Sequence, residues 1–206
     1  MQIDRIFYPI RTLGFGNRIG IWTVGCEHKC FNCANPELWE ADPSRDIPLE
    51  MIFDTLIRIY SANPDLDGVT ISGGEPFLQS EHLAELVQFI RLEISGDILV
   101  YSGFSIEELS ARNDAVQDIL QNIAVLVDGK YLEELNDNLP LRGSSNQRVL
   151  VLNSAYEERY LEHKNGVRTV QNVHYGNGAI SFGIPIRGYR ESVSTGLKTK
   201  GVIARE

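Results

Sequence analysis

Short β-branched apolar runs alternate along this chain with stretches whose apolar residues recur at helical spacing. Ile19–Val24 predicts a strand. Leu49, Ile52, Phe53, Leu56 and Ile57 predict a helix over about 48–61, and Gly68–Ser72 a buried strand ending at Gly73-Gly74. Leu83, Leu86, Val87, Ile90 and Ile94 mark a second helix, and Ile98–Tyr101 the next strand. Ser105-Ile106-Glu107-Glu108 has the capping-box pattern of a third helix start. A shorter helix near 114–121 leads into a strand at Ile123–Val127, and Arg148–Leu152 reads as another strand. Strands and helices joined by short loops imply a parallel sheet with helices packed outside it, an α/β fold.

The pattern changes after about residue 153. Tyr156–His163 has helical character, and Val167–Tyr175 and Ala179–Ile186 flank Gly176-Asn177-Gly178 as a β-hairpin would. Ser192–Glu206 is Gly- and Lys-containing, with weak ordering expected. The chain therefore divides into a core, 1–153, and a C-terminal extension, 154–206, made of a helix plus a β-rich hairpin. No internal repeat or low-complexity segment is visible.

Composition narrows the class. With 206 residues and 43% hydrophobic content, the chain can bury a real core. Its net charge of -9 argues against general nucleic-acid binding or attachment to an anionic membrane. No apolar run approaches the roughly 20 residues of a membrane span. Met1-Gln2-Ile3-Asp4-Arg5 lacks the basic-then-apolar pattern of a signal peptide, so a reducing cytoplasm is the expectation.

All 3 cysteines fall in one run, Cys26-Glu27-His28-Lys29-Cys30-Phe31-Asn32-Cys33. Clustering of this kind suggests metal or redox chemistry rather than a disulfide framework. Thiolates favour zinc, copper(I) or iron–sulfur clusters. Three of them hold a cubane at three corners and leave its fourth iron open, and an open position is where a catalytic metal meets substrate. The competing reading is a zinc knuckle with His28 as fourth ligand, a non-catalytic interaction module. Such sites normally separate two ligand pairs by a dozen or more residues, so a cluster is favoured.

In a parallel α/β sheet, chemistry collects at the C-terminal ends of the strands. The cysteine loop, Gly73-Gly74-Glu75-Pro76, Ser102-Gly103 and Asp128-Gly129-Lys130 all fall at such ends. The two glycines suggest close approach of a ligand to exposed N–H groups, and Glu75 an acceptor for an ammonium group. Asp128 and Lys130 read equally well as a solvated turn. Arg18, after Gly14, Gly16 and Asn17, is either an anion contact or a surface arginine, and Trp39 is expected to pack over the cysteine loop.

With these residues in hand, the chain resembles the radical S-adenosylmethionine (SAM) enzymes. Within them it is most similar to the activating proteins of anaerobic, class III ribonucleotide reductases. The resemblance runs from Tyr8-Pro9 through Cys26–Cys33, Trp39 and Ser72-Gly73-Gly74-Glu75-Pro76. It continues through Ser102-Gly103-Phe104 and Val125–Lys130 to Arg142-Gly143-Ser144-Ser145-Asn146-Gln147, about the first three-quarters of the chain. It implies a partial (β/α) barrel of the radical SAM type. It implies that Cys26, Cys30 and Cys33 hold a 4Fe-4S cluster whose fourth iron is chelated by SAM. Asn32, Cys33 and Ala34 would line SAM, Gly73, Gly74 and Glu75 would hold its amino end, and Ser102 and Asn146 would meet ribose or adenine. Asp128 and Lys130 would lie near SAM and the target peptide. The implied reaction is reductive cleavage of SAM to a 5′-deoxyadenosyl radical, which abstracts hydrogen from a glycine of a partner glycyl-radical enzyme. A low-potential donor such as flavodoxin or ferredoxin would supply the electron. Another peptide or a small molecule is the alternative substrate. Asn32 stands where many radical SAM proteins carry an aromatic residue, and the resemblance does not reach 154–206.

Overall fold

The computed structural model describes residues 1–164, 166–175, 178–189, 192, 193 and 195. Its centre is a six-stranded sheet of β1 (Ile3–Ile10), β2 (Asn17–Thr23), β3 (Leu66–Gly73), β4 (Ile98–Tyr101), β5 (Val125–Asp128) and β6 (Arg148–Val151), in that spatial order. β2 to β5 run parallel. The two edges do not: β1 pairs antiparallel with β2, and β6 antiparallel with β5. The sheet is thus mixed rather than wholly parallel, as the alternation had implied. β6 follows β5 with no α-helix between them, so nothing forces a crossover back to a parallel register. β1 went unpredicted because Pro9 interrupts its apolar run, and an edge strand is where proline is tolerated.

Helices α1 (Leu49–Ala62), α2 (Ser80–Glu93), α3 (Ile106–Ser110) and α4 (Asp114–Asn122) carry the predicted apolar spacing. α1 buries Leu49, Ile52 and Leu56 and stops at Asn63, where the following Pro64 disfavours helical backbone and the Asn63 side chain donates to Ile59 O at 2.7 Å. The α3 capping box forms in both directions: Glu108 N donates to Ser105 Oγ at 3.2 Å, and Ser105 N to Glu108 Oε2 at 2.7 Å. Such a cap contributes about 1 kcal/mol.

Each central strand is apolar on both sides. Ile19, Ile21, Val69, Ile71, Ile98, Val100 and Leu126 face the helices and form the main core with Leu83, Leu86, Val87 and Ile90 of α2. Trp22, Leu99, Val125 and Val127 face the other way, so that side also needs cover. The C-terminal extension supplies it. Tyr160 of α5 (Glu157–Lys164) is fully buried against Leu99, Val125 and Val127. β7 (Gln171–Tyr175) and β8 (Gly178–Phe182) pair antiparallel as their own small sheet, and Phe182 stacks 4.5 Å from Phe7 and 5.2 Å from Trp22. The hairpin strands are shorter than predicted, and Gly176 and Asn177 of the expected turn lie outside the described residues, as does most of Ser192–Glu206. Among the described residues no helix is long and apolar enough to cross a membrane.

Arg18 is neither at the surface nor beside an anion site. It is completely buried at the N-terminal end of the parallel strands, where it donates to Thr70 Oγ1 (2.7 Å), Val69 O (2.7 Å), Asp97 O (2.9 Å) and Asp97 Oδ1 (3.2 Å). Asp97 also accepts from Tyr160 Oη at 2.6 Å and from Arg159 Nη1 at 2.9 Å, so α5 is pinned to the core through one carboxylate. Burial and the adjacent Asp97 charge push the Tyr160 hydroxyl far above its usual range, and it stays a neutral donor. Breaking a buried pair costs about 3 to 5 kcal/mol, because the remaining charge is stranded. Arg18→Met should therefore lower the unfolding free energy by about that amount in a urea titration, whereas an exposed arginine would leave it unchanged.

Candidate active site

β2, β3, β4 and β5 end on one rim because they are parallel, and their four loops meet there. The cysteine loop leaves β2 through Gly25, whose φ of +97° favours glycine. Its base is closed by backbone bonds from Gly25 N to Leu38 O (2.9 Å) and Cys26 N to Trp39 O (2.8 Å), so Cys26 to Trp39 forms a pinned excursion. Trp39 is tied to the loop by its backbone carbonyl, and its indole N–H is buried and without a hydrogen-bond partner. Inside the loop, Lys29 and Asn32 adopt positive φ (43° and 58°), turning the chain back on itself. Asparagine tolerates this region well; lysine does so at a cost of about 1 to 2 kcal/mol.

The turns aim N–H groups at sulfur. Asn35 N donates to Cys33 Sγ at 3.4 Å, and backbone hydrogen bonding by His28 and Lys29 favours the Cys26 thiolate as that by Tyr131 favours the Cys30 thiolate. None of the three cysteines forms a disulfide, and all are half-buried. Burial pushes the Cys26 and Cys30 thiols up from their ordinary range, against these hydrogen bonds. Among the described residues no three His, Cys, Asp or Glu side chains converge tightly enough to hold a single metal ion. A cubane does not require that convergence, since its thiolates sit on different irons.

The Gly73-Gly74-Glu75 loop differs from expectation. Its N–H groups are not displayed to a ligand: Gly74 N donates to Thr23 O at 2.8 Å and Glu75 N to Gly25 O at 2.7 Å. The glycines serve the protein's own packing, because a Cβ on Gly73 would collide with the Thr23 backbone and one on Gly74 with the Gly25 carbonyl. The Glu75 carboxylate is likewise engaged. It is 1% exposed and accepts from Phe77 N (3.1 Å), Ser102 Oγ (3.0 Å) and Gly103 N (2.6 Å). Glu75 therefore ties the β3 loop to the β4 loop and has little capacity left for an ammonium group. Ser102 is committed to the same network, its oxygen also accepting from Phe104 N at 3.1 Å, so its hydroxyl is not presented to a ribose.

His28 was considered only as a metal ligand, yet its ring is folded into this junction. Its Nε2 lies 3.3 Å from Glu75 Oε2 without hydrogen-bond geometry, and the ring packs edge-on to Phe104 at 4.4 Å. A side chain at Gly103 would collide with it. The alternating loop sequence gives no sign of this inward turn.

Asp128 and Lys130 separate in role. Asp128 is 1% exposed and bonded to Arg148 (Nε–Oδ1 3.0 Å, Nη2–Oδ2 2.5 Å) and to Ile106 N at 2.7 Å. It caps α3 and secures β6, so its carboxylate is engaged by the protein's own groups. Arg148 also grips Glu107, whose carboxyl is held down at about 2 chiefly by that hydrogen-bonded partner. Arg148 was missed, although Asp128 and Arg148 sit opposite each other in the β5–β6 register. Lys130 is exposed, and its positive charge acts on Cys30. Asn146 is exposed beside it, donating to Lys130 O at 2.8 Å.

Comparison with known proteins accounts for this rim. The family of the 4Fe-4S single cluster domain matches residues 12–150. The anaerobic ribonucleoside-triphosphate reductase-activating protein of Escherichia coli is 34% identical over 148 residues, covering 69% of this chain and 94% of that protein. The chain belongs to this family of radical SAM activating proteins. The Vibrio cholerae protein of the same name is 33% identical over 148 residues, again covering 69% and 94%. Among solved structures, QueE from Escherichia coli aligns with a TM-score of 0.37 at 19% identity, over 49% of this chain and 51% of that one. The activating-protein family match ends ahead of α5 and the hairpin. Relatives already covered over 94% of their length have little left to pair with those elements.

The glycine packing has a direct consequence. Gly74→Ala forces a methyl group into the Gly25 carbonyl, and overpacking of this kind costs about 1 to 3 kcal/mol. A urea titration should show that loss; unchanged stability would mean the β3 loop is free to move away from Gly25.

Proposed function

We propose that this chain is a glycyl-radical activase of the radical SAM class, which reductively cleaves SAM and installs a glycyl radical on an anaerobic ribonucleotide reductase. One observation carries the reading: the root of the cysteine loop is fastened through Gly25 O to Glu75 N on the rim of a parallel sheet, in a chain of the activating-protein family. The donor set fits a cluster, being three half-buried cysteines that form no disulfide, with Asn35 N donating to Cys33 Sγ. In this reading Cys26, Cys30 and Cys33 bind three irons of a 4Fe-4S cluster and leave the fourth for the amino and carboxylate groups of SAM. When bound, these groups supply an electron to the sulfonium and a 5′-deoxyadenosyl radical to the partner's glycine.

The chain's own residues orient and enclose. Asn32, Cys33 and Ala34 line SAM through the loop backbone. The carbonyl groups of Gly73 and Gly74 meet the ammonium group, since the N–H groups of Gly74 and Glu75 and the Glu75 carboxylate are already engaged. Glu75 and Ser102 act by position, fixing the β3 and β4 loops against each other. Asn146 faces the adenosine end from the rim. Lys130, exposed beside Cys30, faces the incoming peptide, while Asp128 holds its loop to β6. The parallel strands with their helices form a partial (β/α) barrel, residues 1–153 making the radical SAM core and 154–206 an appended segment. Flavodoxin or ferredoxin is the expected electron donor, in a reducing cytoplasm.

Anaerobic reconstitution followed by reduction with SAM should yield 5′-deoxyadenosine, and adding the reductase should yield a glycyl-radical EPR doublet. One bound zinc with no iron or sulfide would overturn the cluster reading. Deoxyadenosine without the doublet would retain the radical chemistry and move it to another substrate. Cys30→Ala should reduce SAM cleavage to background. Lys130→Ala should leave uncoupled cleavage within about twofold of wild type and depress radical transfer to the partner. Intact transfer in Lys130→Ala would remove that residue from the peptide side.

A further inference from the structure

Between Cys26 and Cys30, the excursion meets its neighbours on the rim through the side chain of His28. The ring packs edge-on to Phe104 with centroids 4.4 Å apart, and Nε2 lies 3.3 Å from Glu75 Oε2. The contact is one of shape, because Nε2 is buried and has no hydrogen-bond partner. The space the ring fills is the space a side chain at residue 103 would take. A Cβ on Gly103 would collide with Cδ2, Nε2 and Cγ of His28, and these are the three atoms nearest to it. Gly103 does not adopt a positive φ, so the ring, rather than the backbone conformation, excludes a side chain there.

The surface beneath the ring is itself fixed. Phe104 N donates to Ser102 Oγ at 3.1 Å, and Phe104 O accepts from Gly129 N at 3.1 Å. The Arg112 guanidinium lies over the Phe104 ring, 3.7 Å from its centre. Gly103 N donates to Glu75 Oε2 at 2.6 Å, joining the loops after β3 and β4 where His28 touches both. The backbone bond from Glu75 N to Gly25 O secures only the root of the cysteine loop. His28 secures the turn beyond it.

We propose that His28 is a positioning residue for SAM, latching the cysteine loop to the loops after β3 and β4 through the space that Gly103 leaves empty. The inference rests on the reading above, in which SAM is held at two points. One is the open iron on the cysteine loop, and the other is the carbonyl pair of Gly73 and Gly74 on the loop after β3. A ligand that spans two loops binds tightly when they are already in register. Without the ring the cysteine loop samples other positions, and the apparent affinity falls with the fraction of molecules in register. Bound SAM then holds the two loops itself, so the loss falls on binding rather than on the saturated rate.

Two experiments on the full chain compare wild type with His28→Ala, Gly103→Ala and the double variant. In the metal-free chain, tryptic cleavage after the exposed Lys29 reports opening of the loop, and each single variant should be cut about fivefold faster. In the reconstituted, dithionite-reduced protein, the SAM concentration that half-converts the cluster's EPR signal should rise about fivefold in each single variant. Deoxyadenosine formation at saturating SAM should stay within about twofold of wild type. Gly103→Ala acts by expelling the ring, so the double variant should match the single ones in both experiments. Effects that multiply in the double variant overturn the latch, as do wild-type tryptic rates in the single variants. If Gly103→Ala fails to fold, His28→Ala decides. Faster cleavage with unchanged SAM affinity overturns the role in SAM binding. A wild-type chain with no 4Fe-4S signal overturns the cluster reading and the SAM role with it, a failure that the metal-free tryptic rates distinguish from failure of the latch.

Discussion

The rim of this molecule depends on the buried carboxylate of Glu75 and the backbone bond beside it. Glu75 N reaches Gly25 at the root of the cysteine loop, while its carboxylate takes Ser102 Oγ and Gly103 N from the next loop. Three segments that share no local sequence are thereby held to one geometry. A buried carboxylate is stable only if its lone pairs are satisfied, and here three donors meet that requirement. The same requirement explains the glycines. Gly73, Gly74 and Gly103 stand where any Cβ would separate the loops that the carboxylate draws together.

The opposite end of the sheet is secured by a second buried charge. Arg18 and Asp97 are almost wholly excluded from water, and Asp97 extends the pairing to Arg159 and Tyr160 of α5. Such an ensemble adds little net stability over an apolar core. It fixes register instead, joining the first parallel strand, the start of β4 and the C-terminal helix at one point. Both ends of the parallel strands are thus held by carboxylates that no solvent can screen, one beneath the cysteine loop and one beneath the extension.

The parts visible in the sequence were those with local causes. Periodicity located β2 to β6 and α1 to α5 within a few residues, and the Ser105–Glu108 capping box formed as its spacing required. The rim followed from topology, because parallel strands must end together. Partnerships across long sequence separations were not legible. Whether Glu75 points at a ligand or at Gly103, 28 positions away, depends on packing that no local pattern encodes. For the same reason the sequence left Arg18 open between an anion contact and a surface arginine, and showed no sign of its buried pairing with Asp97. His28 was obscured by its neighbours, since a histidine between cysteines reads as a metal ligand before it reads as a packed ring.

The second face of the sheet connects these observations. Parallel strands buried on both sides need two covers, and helices α1 to α4 provide one. In this chain the other comes from residues beyond the family match, with Tyr160 over β4 and β5 and Phe182 over β1 and β2. A segment recruited to cover apolar surface also brings polar side chains into fixed positions, and Arg168 is one of them. Its guanidinium sits where it can order the loop behind Tyr131 because Tyr160 and Phe182 anchor the extension on either side of it. Hydrophobic cover and the ordering of the loop behind Tyr131 are thus two results of one docking event.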